Sequence, residues 1–233
     1  MTRVAEDILT DAPPPAADAR LAYGPEPLQF GDLRRAERDA LAVVLHGGSW
    51  KATYNLTHLG HLCVALREAG VATFNVEYRR VGDPRDGWHD SLEDVLLAVD
   101  FARGLAQRLL LIGHSAGGHL ALLAGARQKL PVVALAAVSD PATWANDAVE
   151  AFFGGEPPRA GSPLAQLPLG VPQVLVHGTV DDVVPFEQSA RYVEASAGEA
   201  ELIPLDGAGH FEPIDPVSPQ WPVVRAAIER FFG

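Results

Sequence analysis

Four short stretches hold the residue types that nucleophilic chemistry needs. They are Gly113-His114-Ser115-Ala116-Gly117, Asp181 within HGTVDDVVP, His210 within DGAGHFEP, and the loop HGGSW at 46–50. A serine hydroxyl is a poor nucleophile at neutral pH, so it needs a base to take its proton, and the base needs a carboxylate to orient it. Ser115, His210 and Asp181 supply such a set, and the chemistry it would perform is acyl transfer through a covalent serine ester. The five residues around Ser115 fit G-x-S-x-G, whose glycines allow a tight turn that holds the serine next to the N–H groups of a helix N-terminus. An oxyanion site completes the requirement. One donor would be the N–H of Ala116, and another would come from HGGSW, with Gly48, Ser49 and Trp50 all open as its source.

These residues are useful only if the chain gathers them, and the flanking sequence predicts elements that could do so. Short apolar runs alternate with longer amphipathic ones: ALAVVLHGG, LTHLGHLCVALREAG, VATFNVEYR, SLEDVLLAVDFARGLA, RLLLIGHS, GGHLALLAGARQ and PVVALAAVSD. The pattern continues through PQVLVHGT, FEQSARYVEASAG, AELIPLDG and PVVRAAIERFF. That alternation predicts an α/β domain with a mostly parallel twisted sheet covered by helices on both faces. Near-continuous apolar strands favour parallel pairing, because both faces are covered. Ser115, Asp181 and His210 each follow a predicted strand, which is the rim where open α/β sheets bind ligands. Residues 141–169 break the rhythm, and WANDAVEAFFGG within them reads as a short inserted helix that could serve as a lid. The proline- and alanine-rich stretch before Arg20 reads as a tail with no face to bury, leaving 21–233 as one domain.

Each residue also has a plainer reading. Serine caps helix N-termini without catalysing anything. Asp182 sits beside Asp181, and Asp140 ends another predicted strand, although a turn before Pro141 accounts for it. His46 and His177, each before a glycine at a strand end, read as structural hydrogen-bonders, and His114 and His119 as packing residues. Asp86, His89 and Asp90 in DGWHD have no second histidine at ligand spacing, so no metal site is expected there. Trp50, Tyr54, Tyr78, Trp88, Phe152 and Phe153 are the aromatics nearest the predicted rim or insertion.

Composition narrows the partners. With 233 residues, 48% of them hydrophobic, the chain can bury a large single core. A formal net charge of −12 argues against a nucleic-acid partner, because phosphate binding needs a basic face. Cys63 is the only cysteine, which excludes an intrachain disulfide, and its place in HLGHLCVALREAG reads as buried. The N-terminal residues carry acidic groups where a signal peptide needs an apolar run, and no membrane anchor is visible, so a cytoplasmic protein is expected.

The set HGGSW, GHSAGG, HGTVDDVVP and GAGHF resembles the α/β-hydrolase superfamily, and in particular its small esterases and arylformamidases with an HGGxW loop. The resemblance extends from about Leu21 to the C-terminus. It implies Ser115 as nucleophile, Asp181 as triad acid, His210 as base and HGGSW as part of the oxyanion hole, with no cofactor or metal. The expected substrate is a small ester; an aryl formamide is the alternative within the same chemistry. A fold that keeps the pocket and only senses a ligand is the alternative outside it.

Overall fold

The computed structural model describes residues 5–9, 12–37, 39–83, 87–144 and 146–233. Eight strands form one sheet: β1 (Ala19–Ala22), β2 (Phe30–Arg34), β3 (Ala40–Leu45), β4 (Ala72–Val76), β5 (Arg108–His114), β6 (Val132–Leu135), β7 (Gln173–Gly178) and β8 (Ala200–Leu205). Their spatial order is β1-β2-β4-β3-β5-β6-β7-β8. Every pairing from β4 onward is parallel, whereas β1 with β2 and β2 with β4 are antiparallel.

The apolar runs become the central strands because alternate side chains feed two separate cores. Leu41, Val43 and Leu45 of β3 enter one core, while Ala40, Ala42 and Val44 enter the other. The first core is capped by helices α2 (Trp88–Ala102), α3 (Ala116–Gln128), α4 (Asp147–Phe153) and α5 (Glu187–Ala195), through residues such as Val95, Leu120, Phe152 and Tyr192. The second is capped by α1 (Gly60–Glu68) and α6 (Trp221–Glu229), through Leu62, Cys63, Leu66, Val224 and Ile228. Cys63 is fully buried, as its surroundings in the sequence suggest.

Two features depart from the sequence reading. The N-terminal segment has a face to bury after all: Ile8 is only 3% exposed and joins the second core, Pro14 lies against Gly60, and His61 donates to the Ala12 carbonyl. The strands β1 and β2 carry no apolar run, since their burial alternates along a sheet edge. Their pairing rests partly on Arg20, which forks onto both oxygens of Asp32 at 2.7 and 2.9 Å. Among the described residues, no helix is long and apolar enough to cross a membrane.

Candidate active site

At the C-terminal end of β5 the chain turns at Ser115 and enters α3 at once. Ser115 has φ 53° and ψ −118°, a left-handed backbone that costs a residue with a side chain about 1–3 kcal/mol. Its side chain makes no capping hydrogen bond, so helix capping does not account for the serine. The flanking glycines are steric necessities. A Cβ on Gly113 would lie 2.2 Å from the Gly117 carbonyl oxygen, and one on Gly117 would lie 2.2 Å from that of Leu45. Strand, turn and helix therefore touch through backbone alone.

His210 and Asp181 arrive from the loops after β8 and β7. The Nδ1 of His210 lies 2.7 Å from Asp181 Oδ2, and the N–H groups of Val183 and Val184 donate to Asp181 Oδ1 at 2.9 and 2.8 Å. His177 Nε2 also approaches Oδ2, at 3.1 Å. Burial by itself pushes the Asp181 carboxyl up, but the hydrogen bonds from His177 and His210, with the Val184 N–H, outweigh it and hold the group far below the usual carboxylate range. Asp182 is exposed, and Asp140 is occupied by the hydroxyls of Thr143 and Ser162, at 2.9 and 3.2 Å. Of the three aspartates weighed from the sequence, the one beside His210 is Asp181.

Ser115 and His210 line one cavity of about 470 Å3, together with Gly48 and Ser49. The HGGSW loop turns through Gly48, Ser49 and Trp50 at φ 106°, 53° and 54°. Gly47 packs so closely that an added Cβ would meet Ser115 Cβ at 3.0 Å. Among the described residues, the N–H groups of Gly48, Ser49, Trp50 and Ala116 find no acceptor, whereas the Ser115 N–H is taken by Leu135. The Trp50 indole points away from this cavity: it is fully buried and stacks on Phe152 at 4.5 Å.

The cavity walls include Tyr54, one of the aromatics placed near the rim from the sequence, and Leu9, His58, Val183 and Phe211, which the sequence did not single out. Leu9, Val183 and Phe211 supply apolar surface, and Tyr54, His58 and His114 complete the lining. Phe211 follows His210 and could have been found by adjacency. Leu9 and His58 come from distant segments and carry no local signal. His114 is more than packing: its Nε2 donates to the His210 carbonyl at 3.0 Å, tying the serine turn to the histidine loop. Burial, then the neighbouring His210 and His58, lowers His114 well below the usual histidine range, and burial brings His58 to about 3.

The remaining histidines hold structure. His46 binds Glu77 Oε1 at 2.9 Å, and His177 contacts the Ser189 hydroxyl at 2.7 Å. Within DGWHD, Asp86 lies outside the described residues and Asp90 is held by Arg79 at 2.8 Å. Among the described residues, no cluster of three or more histidine, cysteine or acidic side chains could hold a metal ion.

A mostly parallel eight-stranded sheet, helices on both faces and a serine on the strand-to-helix turn after β5 define an α/β-hydrolase fold. The chain belongs to the BD-FAE family, whose model matches residues 33–153. It is 26% identical over 239 residues to Esterase LipC of Mycobacterium tuberculosis, a match covering 82% of this chain and 59% of that protein. The chain thus spans about three-fifths of the length of that relative. Among solved structures, esterase B of Lactobacillus rhamnosis superposes with a TM-score of 0.80 at 18% identity, covering 98% of this chain and 89% of that one. A thermophilic esterase of Thermogutta terrifontis superposes at 0.76 with 20% identity, covering 93% and 91%. At those identities the likeness is one of fold.

Proposed function

We propose that the protein is a serine hydrolase of small carboxylic esters, with Ser115 as nucleophile, His210 as base and Asp181 as the acid that orients it. The observation that carries the reading is the 2.7 Å bond between His210 Nδ1 and Asp181 in the loop beside a cavity that His210 shares with Ser115. With Nδ1 committed to the carboxylate, Nε2 is the nitrogen left to accept the serine proton. As Oγ attacks the ester carbon, the carbonyl oxygen takes up negative charge. The N–H of Ala116 and one from Gly48, Ser49 or Trp50 are the donors that suit it, because none of these is bonded to a protein acceptor among the described residues. Collapse of the adduct expels the alcohol, which takes the proton back from His210. Water then attacks the acyl-serine by the same route, releasing the acid and restoring the hydroxyl.

The similarity to Esterase LipC supports ester chemistry. A short acyl group suits a cavity of about 470 Å3 walled by Leu9, Val183 and Phe211. The Thermogutta terrifontis esterase is known with propionate and with butyrate bound, and the Lactobacillus esterase with a tributyrin phosphonate.

Turnover of nitrophenyl acetate, butyrate and octanoate, an acetylated sugar and an N-formyl aryl amine tests the reading. Hydrolysis of the short esters should exceed that of octanoate. Ser115→Ala should abolish turnover and fluorophosphonate labelling while keeping the parental circular dichroism. Undiminished hydrolysis by that variant would overturn the nucleophile, and turnover of the formyl amide alone would overturn the substrate class.

A further inference from the structure

The described residues of 141–169, expected to form a lid, add nothing to the lining of the cavity that holds Ser115. They touch instead the HGGSW loop, the first turn of α3 and the Asp181 loop, each through a different contact. Phe152 of α4 stacks on Trp50 of HGGSW with ring centroids 4.5 Å apart and planes inclined by 7°, and both rings are buried. Gly161 accepts at 2.7 Å from His119 Nε2, and His119 lies one turn along α3 from Ser115, whose carbonyl its own N–H reaches at 3.1 Å. Trp144 Nε1 donates to the carbonyl of Val183 at 3.1 Å, and the N–H of Val183 holds Asp181.

The contacts converge within the segment as well. The His119 ring stands edge-on to Trp50 at 5.3 Å, so the oxyanion loop and the nucleophile helix meet on one aromatic cluster. Phe153, 5.0 Å from Phe152, presses on Gly161 so tightly that a Cβ there would lie 2.5 Å from the ring. The ends are pinned too: Leu164 N–H donates to the Ser139 carbonyl at 2.9 Å, and Gln188 Oε1 accepts from the Asp140 N–H at 2.7 Å. A segment so tied cannot lift off without breaking the core beneath it.

We infer that the described residues of 141–169 are a fixed brace that sets the HGGSW loop, the N-terminus of α3 and the Asp181 loop in register, with Phe152 of the brace and His119 of α3 as the positioning residues. The inference rests on the proposed serine mechanism for its kinetic consequence. Two oxyanion donors come from different elements, HGGSW and α3, and a displacement of about 1 Å between such groups costs about a hundredfold in rate. A residue that joins those elements therefore acts on the transition state more than on the bound ester.

Steady-state kinetics on nitrophenyl butyrate, referred to sites titrated with a fluorophosphonate, together with hydrogen exchange of the backbone, form the test. Phe152→Ala should lower kcat by about ten- to a hundredfold with KM within about twofold, and Phe152→Leu, which refills most of the volume, should recover most of the loss. His119→Leu should lower kcat likewise, and His119→Gln, which keeps a donor for Gly161, should lower it less. Exchange in Phe152→Ala should rise at the hydrogen-bonded amides of Lys51–Ala52 and of His119 while the β7 and β8 amides stay protected. Parental exchange in those two segments would overturn the brace whether or not the protein hydrolyses esters. A parental kcat in folded Phe152→Ala, with Ser115→Ala inert, would overturn it while leaving the serine mechanism standing. Residual turnover in Ser115→Ala would instead strike the mechanism alone.

Discussion

At position 181 a carboxylate and a carboxamide have nearly the same shape but opposite effects on the ring beside them. Asp181 accepts from His210 Nδ1 at 2.7 Å. An asparagine can present its NH2 there, which would leave Nδ1 as the acceptor and move the ring proton to Nε2, where it blocks proton transfer from Ser115. Asp181→Asn is therefore expected to lower kcat by about four orders of magnitude with little change in KM, as measured with a short nitrophenyl ester. Asp182→Asn, altering an exposed side chain, is the control and should behave as the parent. At this scale the residue types at 115, 181 and 210 suggest the proposed chemistry, and the structure pairs His210 with Asp181 and puts Ser115 and His210 on one cavity. Motif position favoured Asp181 over Asp182, and a turn before Pro141 accounted for Asp140, but which aspartate a ring from the β8 loop meets is decided by packing, and that ring meets Asp181.

Among the elements, the tightest joint is between β3, β5 and α3. A Cβ on Gly117 would lie 2.2 Å from the Leu45 oxygen and 2.4 Å from that of His46, and backbone atoms at both elements leave nowhere to move. Gly117→Ala should drive α3 off β3, costing about 1–3 kcal/mol as overpacking does. It should also reduce turnover, because the N-terminus of α3 carries the proposed Ala116 donor. Urea denaturation and kinetics on the same preparation check both effects. The strands from β3 to β8 were readable as apolar runs because each feeds two cores. By contrast β1 and β2 alternate at the sheet edge and left no such trace. The insertion was visible as a break in rhythm, but its role depends on which rings face Trp50, and periodicity contains no information about that.

Over the whole molecule, buried ionisable groups govern how stability responds to acid. Burial brings His119 to about 4 and His58 to about 3, against an ordinary value of 6.5 that the unfolded chain retains. Below pH 6.5 the unfolded chain binds protons that the folded one does not. The contribution is therefore complete above pH 6.5 and is lost progressively as pH falls towards 4 and then 3. Asp181 and Glu77, both held below the ordinary carboxylate range, add a second loss below about pH 4. Urea midpoints should accordingly fall between pH 7.5 and 4.5, with a shallower fall in His119→Gln; equal midpoints across that range would contradict the buried neutral histidines. Cys63 reports on the same core. Burial pushes its thiol up to about 12, so it should resist a thiol reagent in the native protein and react fully in urea.

The sequence by itself determined the local chemistry and the local conformations. Glycines at 113 and 117 state a turn that only bare backbone can make, and apolar runs state strands covered on both faces, since dihedral preference and burial period are properties of neighbouring residues. Tertiary structure decided everything that depends on distance between segments. It brought Asp181 rather than Asp140 to His210, drew Leu9 and His58 into the cavity wall, buried Ile8 from a stretch that reads as a bare tail, and turned Phe152 onto Trp50. Those outcomes follow from strand order and from how two cores fill, and the packing of a core is a joint property of the chain that no single stretch of it encodes.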